Sequence, residues 1–181
     1  MYALATPFYF MDDQLCVRKG YLPPDADDLW GIAHRSLQRS FQKPHLSLVQ
    51  LCLLLLQRPP VNPAVGDLPD SWALSCSALA AAESVGLHLD PSSWRLPRWE
   101  IRLRRRLWWM VYVDHTWRAL VLGRPSHLKP DCWIVSTLTL EDLEADYYEN
   151  IGIGNSIRNR GTYFLALCDL TLVANDILGA L

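Results

Sequence analysis

The residues best suited to chemistry in this sequence are two groups of carboxylates near the N-terminus. Asp12 and Asp13 form one group, and Asp25, Asp27 and Asp28 form the other. Carboxylates can hold Mg²⁺ against a diphosphate, but that chemistry needs acids repeated on one helical face, opposite a second such motif. Neither group meets this requirement, and the sequence has no G-x-S-x-G, H-E-x-x-H, P-loop or G-x-G-x-x-G motif. We therefore predict that the chain is not an enzyme and has no catalytic residues.

Histidines and cysteines, the usual metal ligands, are scattered along the chain. No two of the five histidines are spaced i,i+4, and no two of the five cysteines form a C-x-x-C pair. The sequence therefore predicts neither a disulfide framework nor a zinc site, and the thiols are expected to be reduced packing residues. We expect His88 and His115 to be hydrogen-bonded structural residues. The full set is His34, His45, His88, His115 and His127, with Cys16, Cys52, Cys76, Cys132 and Cys168.

A run of four arginines is the candidate for contact with nucleic acid, because guanidinium groups bind phosphate and guanine well. The residues are Arg102, Arg104, Arg105 and Arg106. Four arginines within five helical residues point in most directions around the axis and cannot form one flat patch. The net charge of −2 also gives the chain no overall attraction to phosphate polymers. We therefore predict ion pairs, with Glu100 paired to Arg104 across one helical turn and the other arginines paired to acidic side chains.

The arginine run leads into a block, Leu107 to Val113, that is apolar on every side of a helix. This pattern predicts a central buried helix. Asp114 follows the block, and it needs a cation or several hydrogen-bond donors because an unpaired buried charge is very costly. Arg118, Arg106 and Arg124 are the candidate cations. We expect a structural ion pair there rather than a ligand-binding or catalytic site.

The elements that position these residues are predicted from hydrophobic spacing to be helices. Residues 58–70 hold four prolines and a glycine, which excludes regular structure. No alternating strand pattern occurs, so the fold class is all-α: one irregular multi-helix domain, residues 1–181, around a central buried helix rich in tryptophan and arginine. The predicted helices are 24–41, 45–57, 71–84, 98–122, a short acidic helix within 140–148, and 162–178.

Several local features of these helices are also predicted. Asp70 or Ser71 is expected to cap the third helix, and Thr139 with Asp142 to cap the short acidic one. Glycines at 86 and 123 are expected to end helices, and those at 152 and 154 to interrupt the chain before the last helix. Five tryptophans would suit either an interhelical cavity or plain core packing. They are Trp72, Trp94, Trp99, Trp117 and Trp133.

One longer pattern spans residues 70–135: a helix of small residues ending in Gly-Leu-His, then a prolyl turn, the arginine run, paired tryptophans and a Gly-Arg-Pro. This pattern resembles the regulatory middle domain of fungal-specific transcription factors, a family that carries a six-cysteine binuclear zinc cluster near its N-terminus. The resemblance implies architectural roles for the matching residues, and it identifies no ligand-contacting residue. The matching residues are Gly86, Leu87, His88, Asp90, Arg104, Arg105, Arg106, Trp108, Trp109, Asp114, Gly123, Arg124 and Pro125.

The resemblance implies a nuclear domain that controls transcription through a small effector, a coregulator protein or intramolecular contacts, with a possible homodimer. DNA would be bound only through the zinc cluster, whose closely spaced cysteine pairs do not occur in this chain, so no cofactor is expected here. The chain is then either part of a longer regulator or a family member without that module. The alternative is a helical interaction scaffold, or an orphan fragment, without DNA-binding activity.

No contact with a membrane is predicted. The N-terminal MYALATPFYFMDD lacks the basic region of a signal peptide. The apolar run Leu51–Leu56 is far shorter than the roughly 20 residues that a membrane span needs. We therefore expect a soluble, intracellular protein.

Overall fold

The computed structural model describes residues 1–18, 22, 25–59, 70–143 and 154–180. The predicted all-α class is confirmed, because the described residues contain no β contact beyond a single bridge between Leu89 and Ile134. Short 3-10 turns at Thr6–Met11, Pro91–Ser93 and Pro130–Cys132 connect some of the helices. The α-helices are α1 (Tyr2–Ala5), α2 (Asp13–Arg18), α3 (Ala26–Ser40), α4 (Leu46–Leu56), α5 (Ser71–Ser84), α6 (Arg98–Leu122), α7 (Leu140–Leu143) and α8 (Gly154–Ala180).

Helix α4 lies in the core, as its dense leucines predict. Leu48, Val49 and Cys52 are fully buried. The helix begins where the Nδ1 atom of His45 accepts a hydrogen bond of 3.0 Å from the backbone N–H of Leu48. This bond satisfies one of the N–H groups that the first helical turn leaves without a partner. The predicted helix 45–57 is therefore confirmed to within one residue at each end.

Helix α5 packs between α4 and α6, because its small residues allow close approach. Ala78 and Ala82 are almost completely buried at these contacts. Asp70 occupies the predicted N-cap position, but its side chain makes no capping hydrogen bond. Asp70 makes no such bond because its own backbone is already helical (φ −93°, ψ −8°), whereas a capping residue usually has an extended backbone. Ser71, the other candidate, is the first residue of the helix itself.

Helix α6 is the central element. Trp108, Trp109 and Tyr112 are each about 1% exposed. Trp133 packs onto Tyr112 with its ring centroid 5.1 Å away, and the Trp109 indole donates a 2.9 Å hydrogen bond to a loop carbonyl. The prediction that this part of the helix is buried on every side was wrong for Met110, which is 43% exposed. Its side of α6 faces a cleft rather than another helix.

Helix α8 is longer than predicted. It begins at Gly154, so that glycine does not interrupt the chain, and Gly152 lies outside the described residues. Gly161 lies within the helix, where a Cβ atom would be 3.3 Å from the Leu143 side chain, so glycine permits the close approach of α7. On the side facing α6, the Trp117 indole donates a 2.9 Å hydrogen bond to the hydroxyl of Thr171.

The other side of α8 carries apolar residues that the rest of the described chain leaves exposed. Tyr163 is 77% exposed, Val173 55% and Ile177 50%. Among the described helices, the stretch Gly161–Ala180 has the length and the hydropathy, with a mean of 1.4, to cross a membrane. Core helices of soluble proteins share these properties, and this helix also packs on α6. The absence of a membrane partner stays a prediction.

The remaining helix ends include two with caps formed by polar residues nearby in the sequence. Asp25 caps α3 by accepting hydrogen bonds from the backbone N–H groups of the second and third residues after it, so this helix begins at Ala26 rather than at residue 24 as predicted. Thr139 and Asp142 do form the predicted cap, with both the N–H and the hydroxyl of Thr139 donating to the carboxylate at 3.0 Å. The short helices α1 and α2 were not predicted. Residues 60–69 and 144–153, including most of the predicted irregular segment, lie outside the described residues.

Candidate regulatory site

The ion pair predicted for Asp114 forms with Arg118. The Arg118 Nε atom lies 2.9 Å from one carboxylate oxygen and 3.1 Å from the other. The same guanidinium donates to the backbone carbonyl of Leu56, the last residue of α4, at 3.0 Å. A second donor, the hydroxyl of Ser75 on α5, reaches Asp114 at 3.1 Å. This one polar group therefore links three helices, and the prediction of a structural ion pair is confirmed.

The predicted pairing of Glu100 with Arg104 is also confirmed, at 2.9 Å. A second Arg104 nitrogen donates to the carbonyl of Val85, which lies just after the last residue of α5, at 3.2 Å. The guanidinium also lies over the ring of Trp94, 5.1 Å from the centroid. Arg104 therefore attaches α6 to the C-terminal end of α5, much as Arg118 attaches α6 to the end of α4.

Arg105 connects α6 to α7 and to the loop after α5 through one acidic residue of each. It lies 3.3 Å from Asp142 and 3.5 Å from Asp90. Asp90 itself accepts hydrogen bonds from the backbone N–H groups of Ser92, at 2.8 Å, and Ser136, at 2.7 Å. Burial alone would raise the pKa of the Asp90 carboxyl, but these hydrogen bonds outweigh it and hold that pKa well below its usual range. The predicted ion pairing within the domain is thus confirmed for Arg104 and Arg105.

Of the other two candidate cations for Asp114, one lies over a tryptophan ring and the other lines the same cleft as Asp114. Arg124 is exposed, and its guanidinium lies over the ring of Trp72, 5.4 Å from the centroid. Arg106 lines the cleft beside α6. The preference for Arg118 follows from its i+4 position on the same helix, which brings it beside the carboxylate.

A cleft of about 730 Å³ runs between α4, α6 and α8. Apolar side chains from all three helices line it, and glutamines, Arg106 and Asp114 lie among them. None of the five tryptophans that were candidates for a cavity lining is among the cleft residues, and Trp99 is instead 57% exposed. The lining residues are Met1, Gln50, Leu53, Leu54, Gln57, Leu103, Arg106, Leu107, Met110, Val113, Asp114 and Phe164.

The sequence profile of the fungal specific transcription factor domain matches residues 1–181, the whole chain. The chain belongs to this family. Its relatives include the transcriptional activator protein DAL81 of Saccharomyces cerevisiae, 33% identical over 78% of the chain. An uncharacterised transcriptional regulatory protein of Schizosaccharomyces pombe is 22% identical over 98% of the chain. Cutinase transcription factor 1 beta of Fusarium vanettenii is 28% identical over 59%.

These relatives are much longer proteins than this chain. The matched region is 14% of the S. cerevisiae relative, 25% of the S. pombe relative and 12% of the F. vanettenii relative. No solved structure matches the chain. The domain is therefore a regulatory region of a fungal transcription factor, and all three of these relatives are named as transcription regulators.

Two glycines of the pattern noted in the sequence have the same structural role. Gly86 and Gly123 adopt left-handed conformations, with φ of 74° and 60°. The backbone N–H of the residue after each glycine donates a 2.9 Å hydrogen bond to a carbonyl in the last helical turn. These bonds run from Leu87 to Ala82 and from Arg124 to Ala119. This bonding is the Schellman motif, in which glycine avoids the steric cost of the left-handed backbone. Both glycines end their helices as predicted.

The other matched residues lie around α6. Leu87 is 1% exposed, and His88 packs near Trp108 with a ring centroid distance of 6.4 Å. The backbone carbonyl of His88 also accepts a 2.8 Å hydrogen bond from Ile134, which joins the loop after α5 to the loop after α6. Pro125 is exposed.

One cluster of chemically reactive residues was missed. The structure brings Cys76, His115 and His127 together, with one potential ligand atom from each within 4.8 Å of the others. These residues come from α5, from α6 and from the loop after Gly123, so their sequence separations are large. Spacing rules that look for close pairs have no signal for such a cluster.

Proposed function

We propose that this fungal transcription factor domain controls the activity of its parent regulator by binding a small, mainly apolar effector in the cleft between α4, α6 and α8. The supporting observation is the cleft itself. Its volume of about 730 Å³ falls in the range of about 300–1,000 Å³ typical of small-molecule sites. Its walls combine leucine, methionine and phenylalanine side chains with a few polar groups, as such sites usually do.

Direct DNA binding by this chain receives no comparable support. The net charge is −2, and Arg104, Arg105 and Arg118 make ion pairs within the domain. We propose that DNA is bound by a separate module of the parent protein, that the parent acts in the nucleus, and that this chain has no catalytic role. A coregulator protein or a second copy of the domain would then respond to the effector-bound state.

The mechanism we propose is a shift between two packings of the helices that form the cleft. An effector shifts such an equilibrium only by the difference between its affinities for the two arrangements. Met110 and Leu107 on α6 line the cleft, and Asp114 of the same helix both lines it and binds Arg118. A change in the cleft would therefore act directly on the link between α6 and the end of α4.

The test fills the cleft without disturbing the buried core. Met110→Trp is suitable because Met110 lines the cleft and is 43% exposed, whereas Val121→Trp is a matched control on the same helix, since Val121 is 76% exposed and outside the lining. The probe is the fluorescent apolar anion 1-anilinonaphthalene-8-sulfonate, titrated into each variant of the full chain. We expect saturable binding by the wild type and by Val121→Trp, and at least tenfold weaker binding by Met110→Trp.

A reporter assay then tests the regulatory role. The chain is fused to a heterologous DNA-binding and activation module, and the output of a reporter gene is measured in fungal cells. We expect Met110→Trp to change the output and Val121→Trp to leave it as in the wild type. Equal probe binding by both variants would exclude the cleft as the site, and equal reporter output would exclude a regulatory role for it.

A further inference from the structure

The cluster of Cys76, His115 and His127 lies apart from the proposed effector cleft and has the composition of a metal site. The Cys76 Sγ atom is 3.7 Å from Nδ1 of His127. A tetrahedral ion with a bond of about 2.3 Å to sulfur and about 2.0 Å to nitrogen places those two atoms about 3.5 Å apart. The observed Sγ–Nδ1 distance is therefore close to the value for shared coordination of one ion, and all three ligand atoms lie within 4.8 Å of one another.

The hydrogen bonds around His115 determine which of its ring nitrogens carries the proton. The Ser75 hydroxyl donates to Asp114, so its oxygen is left to accept from Nδ1–H of His115, 3.3 Å away. On the other side of the ring, Nε2 accepts from the backbone N–H of His127 at 3.3 Å. Both bonds require the proton on Nδ1, which leaves the Nε2 lone pair directed toward His127. Metal-binding histidines commonly donate their second N–H in this way, which fixes the tautomer and the ring orientation.

The surroundings combine a rigid wall with access from solvent. The ring of Trp72 stacks on His115 at 5.0 Å and lies 5.8 Å from that of His127. His115 is fully buried, Cys76 is partly buried and His127 is exposed. An ion can thus enter from the His127 side, and the exposed imidazole can adjust its position. Nε2 of His115 would exchange a long hydrogen bond for a metal bond.

We propose that Cys76, His115 and His127 bind one Zn²⁺ ion, with a water molecule as the fourth ligand. A thiolate and two neutral imidazoles are a ligand set that binds zinc in preference to calcium or magnesium, because those two ions prefer oxygen ligands. Binding displaces the thiol proton of Cys76 to solvent. The bound ion joins α5 and α6 to the loop that follows Gly123, so zinc would hold in place a segment that carries signature residues of the family.

The experiment measures zinc binding by the full chain, in competition with a chromophoric chelator, and the visible spectrum of the Co²⁺ form. Cys76→Ser and His127→Gln remove ligands that are not fully buried, and Cys132→Ser and His34→Gln are matched controls, since Cys132 is exposed and neither residue belongs to the cluster. We expect one ion per chain in the wild type and in the controls, a tetrahedral Co²⁺ spectrum with a thiolate charge-transfer band, and at least a tenfold loss of affinity in both ligand variants.

A positioning variant adds a second readout. Ser75→Ala removes the hydrogen bond that orients His115 and should weaken zinc binding by about 10–100-fold while the Co²⁺ spectrum keeps its thiolate band. Circular dichroism confirms that each variant is folded. Three results would each overturn the proposal. They are no zinc binding by the wild type, an unchanged zinc affinity in Cys76→Ser and His127→Gln, or an equal loss of zinc affinity in the two controls. Binding of Cu⁺ without Zn²⁺ would also overturn it. These outcomes leave the cleft experiment unaffected, because its variants do not touch the cluster.

Discussion

Replacing Arg118 with methionine tests the central polar link of the fold. The change keeps much of the apolar stem and removes the ion pair to Asp114 and the hydrogen bond to the Leu56 carbonyl. Each hydrogen bond to a charged group contributes about 1.5–3 kcal/mol, and breaking a buried pair costs about 3–5 kcal/mol. The two side chains are 18% and 14% exposed, so solvent screens part of this interaction and we expect a loss of about 2–4 kcal/mol. For a chain of this size that lowers Tm by about 5–15 °C.

The assay is urea unfolding of the full chain followed by tryptophan fluorescence, with Arg39→Met as the control because Arg39 is exposed on α3. We expect the control to stay within about 0.5 kcal/mol of the wild type. The double variant Arg118→Met with Asp114→Leu should recover part of the loss, because it leaves no unpaired buried carboxylate. A destabilisation below about 1 kcal/mol for Arg118→Met, or a double variant less stable than the single one, would refute this account of the link.

Three further predictions concern other parts of the fold. Gly123→Ala should destabilise the chain by about 1 kcal/mol in urea unfolding, because φ is 60° there, whereas Gly179→Ala, in a helix with open space around it, should be neutral or stabilising. Trp117→Phe should cost about 1–2 kcal/mol through its lost hydrogen bond to α8, and Trp99→Phe, at an exposed position, should cost almost nothing in the same assay. Burial, and secondarily the charge of His127, lowers the pKa of His115 in the folded chain to about 4, whereas the ordinary value is about 6.5. As the pH falls below about 6.5, the unfolded chain therefore binds a proton at this residue before the folded chain does. Stability measured with a metal chelator present should therefore fall between pH 6.5 and 4, and His115→Gln should flatten that part of the profile; an unchanged slope would contradict the assignment.

Features set by neighbouring residues were predictable from the sequence. The boundaries of α4, the two glycine caps and the Glu100–Arg104 pair all depend on residues within about one or two helical turns of each other. The Schellman caps need only a glycine that tolerates a left-handed backbone after the last helical turn. For Asp114 the sequence left three candidate cations, and the pair that forms is with Arg118, the one at position i+4.

Features set by tertiary packing were not predictable in the same way. The bond from Arg118 to Leu56 joins residues 62 positions apart. Met110 was expected to be buried because its neighbours are apolar. Its exposure instead depends on the packing of α4, α6 and α8, which leaves a cleft open beside it. The meeting of His115 with Cys76 depends on the packing of α5 against α6, which hydrophobic spacing does not specify. Gly154 begins α8 although isolated glycines usually indicate an interruption.

The attachment of α6 to the two helix ends restricts where this domain can change length during evolution. Arg104 binds the carbonyl of Val85 just beyond α5, and Arg118 binds the carbonyl of Leu56 at the end of α4. Inserting one residue within either helix rotates its last carbonyl by about 100° and moves it by about 1.5 Å, which takes it out of reach of the guanidinium. Insertions and deletions among relatives should therefore fall in the connecting loops, while the lengths of α4 and α5 stay constant.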